Sequence, residues 1–257
     1  MQICRMVRAK KHLGQHFLAD KNIAAKIVGS LQNPENHEVL EIGPGTGVLT
    51  QFLIDQNHKL SLVEIDKESV EYLEQNFTNK FRLLHLDFLK MNTGDYFAEE
   101  FCIIGNFPYN ISSQIFFKLL DDRNNISELV CMIQKEVAQR IAAPHGSKTY
   151  GILSVLLQLF YKIEYLFTVN GNVFIPPPKV KSGVIRMTRY RSEIEGVKYH
   201  QLKVVVKTAF NQRRKTLRNS LKSVLNETVN VNDDIFSKRP EHLSPEDFVI
   251  LTQMIYK

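Results

Sequence analysis

The chain has 257 residues, 44% hydrophobic with 16 Phe and 9 Tyr, enough for an α/β domain with a sizeable core and a smaller appendage. No apolar run approaches a membrane-spanning length, and Cys4, Cys102 and Cys131 lie far apart without metal-ligand spacing, which predicts free thiols and no metal. Net charge is +6, and it is segregated: Arg5, Arg8, Lys10 and Lys11 near the start, and Lys198, Lys203, Lys207, Arg213, Arg214, Lys215, Arg218 and Lys222 near the end, occupy stretches without an acid, a pattern that favours nucleic acid over a membrane surface as partner.

The first residues, MQICRMVRAKKHLGQ, lack the apolar core and small-residue cleavage site of a signal peptide, so the expected location is the cytoplasm. Residues 8 to 20 read as a basic arm ending in an apolar hook, Phe17 and Leu18. His12 and His16 are four apart, but Gly14 lies between them and no third ligand is in view, so no metal is expected. Asp20 is placed to cap a helix in which Ile23, Ala24, Ile27, Val28 and Leu31 recur at helical spacing, and Asn33-Pro34 ends it.

A short apolar strand, His37 to Ile42, then runs into the glycine turn Glu41-Ile-Gly43-Pro-Gly45-Thr-Gly47 and a helix bearing Val48, Leu49, Phe52 and Leu53. Strand, glycine turn and helix together are the context in which such glycines bring backbone close to a ligand. The second strand, Lys59 to Ile65, carries Glu64, 21 residues past Gly43, where an acid can accept from both hydroxyls of a ribose. A third strand, Arg82 to Leu86, ends at Asp87. The set describes an adenosine-containing cofactor. It is not a P-loop, since no Lys-Ser or Lys-Thr follows the last glycine, and the G-x-G-x-G spacing is a poor dinucleotide fingerprint.

The apolar run Cys102 to Ile104 stops at Gly105 and is followed by Asn106-Phe-Pro108-Tyr109-Asn110. A polar amide, a proline-fixed turn and an aromatic ring sit where a strand ends, which is where open α/β sheets bind ligands. Adenine's exocyclic amine is a poor nucleophile because its lone pair is delocalised into the ring. The Asn106 side-chain oxygen and a backbone carbonyl at Phe107 or Pro108 can hold its N–H groups, and Tyr109 offers a ring face to an extruded base.

A helix from Ser112 or Ser113 buries Ile115, Phe116, Leu119 and Leu120; Glu128 to Ile133 is a strand, Gln134 to Ile141 an amphipathic turn or helix, Ile152 to Phe160 an apolar helix and Tyr161 to Val169 a strand. Phe174 to Ser182, with three prolines, reads as a stiff exposed loop; Phe174 either covers the other face of the target base or enters the core. Gly183 to Tyr190 reads as the last strand. The best domain boundary is Ser192 to Gly196, giving a domain over 1–191 and a small all-helical one over 192–257. Arg214, Arg218 and Lys222, four apart, are expected to line one helix face, and with Lys10, Lys11, Arg213 and Lys215 to contact phosphates. Ser244 and Pro245 start a final helix with Phe248, Leu251 and Ile255 on its apolar face.

The pattern E-x-G-x-G-x-G resembles the first motif of S-adenosylmethionine-dependent methyltransferases, and NFPY resembles the [D/N/S]-P-P-[Y/F] motif of amino-methyltransferases. Taken in order, KKHLGQHFLAD, VLEIGPGTGVLT, LVEID, LDFL, IGNFPYNIS, QKEVAQRI, FIPPPKVKSGVIR and FNQRRKTLRNSL resemble the KsgA/RsmA family of small-subunit ribosomal RNA adenine N6,N6-dimethyltransferases. The resemblance implies an α/β, Rossmann-like methyltransferase sheet with a helical C-terminal domain. It implies S-adenosylmethionine as cofactor, held by His16, Leu18, Gly43, Gly45, Glu64, Asp87 and Asn106, and catalysis by Asn106, Pro108, Tyr109 and Phe174. His16 stands where Asn is common, so its contact is by side chain or backbone; Phe107 stands where Leu is common. The implied reaction dimethylates two adjacent adenines in a hairpin near the 3′ end of small-subunit rRNA, in the assembling subunit, by a monomer. Alternatives are the related large-subunit enzyme of macrolide resistance, against which the triple-proline loop and FNQRRKTLRNSL argue; a non-catalytic RNA-binding factor of the same fold, against which Glu64, Asp87 and Asn106 argue; and a DNA adenine methyltransferase, which lacks support from any duplex-reading element.

Overall fold

The computed structural model describes residues 7–32, 37–56, 59–77 and 80–257; Cys4, Arg5 and the helix stop at Asn33-Pro34 lie outside them. The chain divides into two compact units, Met1–Ala138 with Glu164–Thr188, and Gln139–Ile163 with Arg189–Lys257.

The first unit is built on a sheet. Its strands are β2 (Glu38–Ile42), β3 (Leu60–Glu64), β4 (Arg82–His85), β5 (Phe101–Asn106), β6 (Ile126–Gln134), β7 (Tyr161–Val169) and β9 (Ser182–Arg189), in the order β4-β3-β2-β5-β6-β9-β7. The five strands β4 to β6 pair in parallel, and β9 runs antiparallel to β6. Parallel strands buried on both faces read as continuous apolar runs. That is why Val39, Leu40, Leu62, Ile103, Ile104, Leu129 and Val130 are all fully buried. Within this sheet the chain starts at β2, winds out to β4, then returns to β5 on the other side of β2, so the strand order reverses between β2 and β5. Open sheets bind ligands beyond the carboxyl ends of strands at such a point.

Helix α1 (Lys21–Val28) begins as expected at Asp20, whose side chain accepts from the Asn22 and Ile23 N–H groups. Helices α2 (Thr50–Ile54), α3 (Lys67–Asn76) and α4 (Ser112–Asp121) follow β2, β3 and β5. Short strands β1 (Phe17–Leu18) and β8 (Phe174–Ile175) pair with each other, with Leu18 opposite Phe174. Of the two places open to Phe174 the structure shows the core, where it is buried with Leu18 and Val184; Ser182 at the far end of the stretch is buried too, and the reading of an exposed loop holds for the residues between them. The apolar hook of the arm supplies the partner strand, which local sequence around Phe174 could not show.

The second unit is helical. Helix α5 (Lys135–Ile141) leads into it, and α6 (Ile152–Gln158), α7 (Tyr199–Asn211), α8 (Leu217–Ser220) and α9 (Pro245–Ile255) form it. Phe210 of α7 stacks on Phe248 of α9 at 5.8 Å between ring centres. Ser244 caps α9 as expected, and Asp247 completes a capping box with it. Residues 139–163 group with these helices, whereas the sequence boundary at Ser192 to Gly196 assigns them to the first domain. Helix α6 is buried on nearly every side and packs against α7 and α9, a destination its uniform hydrophobicity does not specify. The basic segment also differs from expectation. Helix α8 is only four residues long, Gln212 to Lys215 form turns, and Thr216 is extended, so Arg214, Arg218 and Lys222 do not share one helix face.

Candidate cofactor and base site

At the switch point, the ends of β2 to β5 and the N-terminal arm enclose a cavity of about 210 Å³. It lies within the first unit. Eight of the expected site residues line it: His16, Gly43, Gly45, Glu64, Asp87, Asn106, Pro108 and Tyr109. Two do not: Leu18 and Phe174 are buried in the core behind it. Phe174 is therefore placed to support the site rather than to face a base.

The glycine turn leaves β2 with Gly43 at φ +65°, a left-handed conformation that favours glycine. A Cβ at Gly43 would meet no atom within 4 Å, so the backbone there borders open space. Gly45 is closed from above by the Phe17 ring, 2.7 Å from where its Cβ would stand. Beneath the turn, Glu41 is fully buried and its Oε2 accepts from the Thr50 hydroxyl at 2.7 Å. Burial pushes its carboxyl up to about 8.

Glu64 ends β3. Its Oε2 accepts from the Gly45 N–H at 3.0 Å, and its Oε1 from the N–H groups of Ile65 and Asp66, both at 2.8 Å. Burial raises this carboxyl, against those three bonds, which pull it down. A carboxylate has about four acceptor positions, so the side chain is oriented by the backbone and keeps capacity for a ligand hydroxyl. Asp87 caps a 3₁₀ turn, accepting from the Leu89 N–H at 3.0 Å through one oxygen. The open backbone at Gly43, an oriented acid at the end of the second strand of the turn and a second acid at the end of the third fit the adenosine of S-adenosylmethionine.

Asn106 is the last residue of β5, one residue later than the strand end expected at Gly105. Gly105 lets β5 approach β2: a Cβ there would stand 2.6 Å from the Ile42 carbonyl oxygen. The Phe107 N–H donates to the Met132 carbonyl at 3.0 Å, continuing the ladder into the turn, and the Phe107 ring is buried edge-on to Phe116. The Asn106 amide donates from Nδ2 to the His16 carbonyl at 2.9 Å. That bond fixes the amide and leaves Oδ1 as its remaining acceptor. The Tyr109 ring stacks on the His16 ring, 5.5 Å between centres, and its hydroxyl bonds the buried Ser182 Oγ at 2.6 Å. Burial raises the Tyr109 phenol, so the ring stays neutral.

The arm is latched by residues that spacing did not single out. Asp66, at the start of α3, takes Lys10 through Oδ1 and the Gln15 amide through Oδ2 at 3.3 Å. Lys10 also pairs with Glu68 at 3.2 Å. Burial alone would raise the Asp66 carboxyl, but Lys10 and Gln15 outweigh it and hold it below its ordinary value. Sequence offers no signal for this: positions 10, 15 and 66 meet only because β3 ends beside the arm. Lys10, expected at phosphate, is thus spoken for. Arg213 is likewise held by Glu241 at 2.6 Å, and Arg218 donates twice to the Val231 carbonyl, at 3.1 and 2.8 Å. Lys11, Arg214, Lys215 and Lys222 are exposed and form no ion pair with a described residue.

A model of the family described as ribosomal RNA adenine dimethylase matches residues 6–243. Proteins named ribosomal RNA small subunit methyltransferase A are similar: that of Parabacteroides distasonis is 56% identical, covering 98% of this chain and 96% of its own. That of Flavobacterium johnsoniae is 57% identical, covering 97% and 96%. Among solved structures, a dimethyladenosine transferase from Plasmodium falciparum superposes with a TM-score of 0.80 at 28% identity, covering 92% of this chain and 96% of that one. The chain belongs to the ribosomal RNA adenine dimethylase family.

Proposed function

We propose that this chain dimethylates N6 of two adjacent adenines in a hairpin near the 3′ end of small-subunit rRNA, within the assembling subunit, as a cytoplasmic monomer. It is an S-adenosylmethionine-dependent rRNA adenine dimethyltransferase, and its substrate is ribosomal RNA. Among the described residues no helix is long and apolar enough to cross a membrane.

The observation that carries the site assignment is the Asn106 amide, pinned to the His16 carbonyl beside the Tyr109 ring in one cavity. S-adenosylmethionine, when bound, supplies a methyl group on a cationic sulfonium, so transfer needs no strong base. Glu64 would hold its ribose, Asp87 its adenine amine, and the Gly43–Gly45 turn its amino-acid end. Asn106 Oδ1 and a backbone carbonyl at Phe107 or Pro108 accept the two N–H groups of the target amine. This favours a pyramidal nitrogen with its lone pair free, an effect of positioning. Tyr109 stacks on the extruded base, held by Ser182 on one side and by His16 behind. Lys11, Arg214, Lys215 and Lys222 are assigned to phosphates, which position RNA without reading it.

The test is methyl transfer from labelled S-adenosylmethionine to unmethylated small subunits, large subunits and duplex DNA, with the product nucleosides identified. Dimethyladenosine from small subunits alone is expected. Product confined to large subunits or to DNA would overturn the assignment.

A further inference from the structure

We infer that the loop from Ile175 to Lys181 is a stiff wedge that meets the RNA strand beside the extruded adenine; the inference rests on ribosomal RNA being the substrate. Both ends of the loop are tied to residues of the base site. The His16 ring donates from Nδ1 to the Pro176 carbonyl at 2.7 Å, since a carbonyl can only accept. Beyond the prolines, Ser182 holds the Tyr109 hydroxyl, and the Lys135 N–H bonds the Lys181 carbonyl at 2.9 Å. In the middle, Pro178 packs onto Gly171, where a Cβ would stand 2.8 Å from its carbonyl oxygen. Phe174 roots the loop in the core.

Between these anchors the loop turns apolar surface outward. Ile175 is 65% exposed and Val180 46% exposed, with Pro176 and Pro177 exposed between them. One exposed aliphatic is ordinary. Here four apolar residues share one loop tethered to His16 of the cavity, with Lys179 and Lys181 on either side of Val180, both exposed and forming no ion pair with a described residue. Such a surface suits single-stranded RNA, which offers phosphates to lysine and unstacked base faces to apolar side chains. Extruding an adenine leaves a gap in the stack, and an apolar side chain entering it offsets the unstacking cost. Three prolines mean that little chain entropy is lost on contact.

Two experiments test the wedge. Photocrosslinking from p-benzoylphenylalanine at position 175 to unmethylated small subunits, without cofactor, is expected to stop reverse transcriptase within a few nucleotides of the two target adenines. In kinetics on the same particles, Ile175→Ala with Val180→Ala is expected to lower kcat by roughly tenfold, with cofactor affinity, melting temperature and salt dependence unchanged. Lys179→Ala with Lys181→Ala is expected to raise KM and reduce the slope of log affinity against log salt by roughly 1.4. Crosslinks only to ribosomal protein or distant RNA, or wild-type kinetics in both pairs, would overturn the wedge while leaving methyl transfer intact. Crosslinks beside the adenines without methyl transfer by the unaltered enzyme would support the wedge and overturn the catalytic reading.

Discussion

Asn106 can act on an amine only because its own amide is already committed at the other end. The bond from Nδ2 to the His16 carbonyl removes the ambiguity of a freely rotating amide. Replacing Asn106 by Ala therefore removes both the bond to the His16 carbonyl and the acceptor used when the base is in place. The expected result is a fall in kcat of about a hundredfold or more with most RNA affinity kept, read by single-turnover transfer and by an RNA-binding titration. Unchanged turnover would remove Asn106 from the mechanism. The residue types of this turn were legible in the sequence, because Asn, Pro and an aromatic after an apolar run have few structural reasons to sit together. What His16 does was not. Its carbonyl, its Nδ1–H and its ring serve three partners, at positions 106, 176 and 109, and no local pattern links them.

Among the elements, the arm and the basic segment show how charge is divided between folding and binding. Lys10 and Lys11 are adjacent and alike in sequence, yet Lys10 latches the arm to the start of α3 while Lys11 is exposed. Lys10→Met should loosen the arm and raise the KM for cofactor with kcat little changed; an effect on RNA affinity alone would contradict the latch. In the second unit, Arg214, Lys215 and Lys222 are exposed, and Arg213 and Arg218 hold the turns that display them. Replacing Arg214, Lys215 and Lys222 together by Ala should reduce the salt slope of RNA binding by roughly 0.7 to 0.9 for each phosphate that is no longer neutralised, without lowering the melting temperature. An unaltered slope would discard the segment as an RNA surface. Composition located this positive stretch correctly, but the helix stripe drawn from four-residue spacing failed, because the helix breaks at Gln212 and restarts at Thr216. Turns that depend on contacts with residues 231 and 241 are invisible to periodicity.

For the molecule as a whole, the buried carboxyl of Glu41 makes stability depend on pH. Its ordinary value is 4.5 and burial raises it to about 8 in the fold. Between these values the folded chain binds a proton that the unfolded chain has released, so stability falls as pH rises through that window. Below 4.5 both states are protonated and the cost vanishes. Glu41→Gln keeps an acceptor for Thr50 and should raise the melting temperature at about pH 8 by several degrees, a gain of the order of a few kcal/mol, and change it little at about pH 4.5. Equal shifts at both pH values would show that Glu41 does not titrate in this range.

Local pattern was enough to establish, in chain order, the seven strands of the main sheet, the glycine turn, the acids at the ends of β3 and β4, the Asn-Phe-Pro-Tyr turn and the family. These rest on periodicity and on residue types whose chemistry is specific over a few positions. Three-dimensional packing was needed to send Phe174 into the core, to hold Lys10, Arg213 and Arg218 on protein partners, and to join residues 139–163 to the helical unit. Each of those outcomes turns on a partner distant along the chain. Burial and ion pairing are properties of a pair of surfaces, and a one-dimensional pattern shows only one of them.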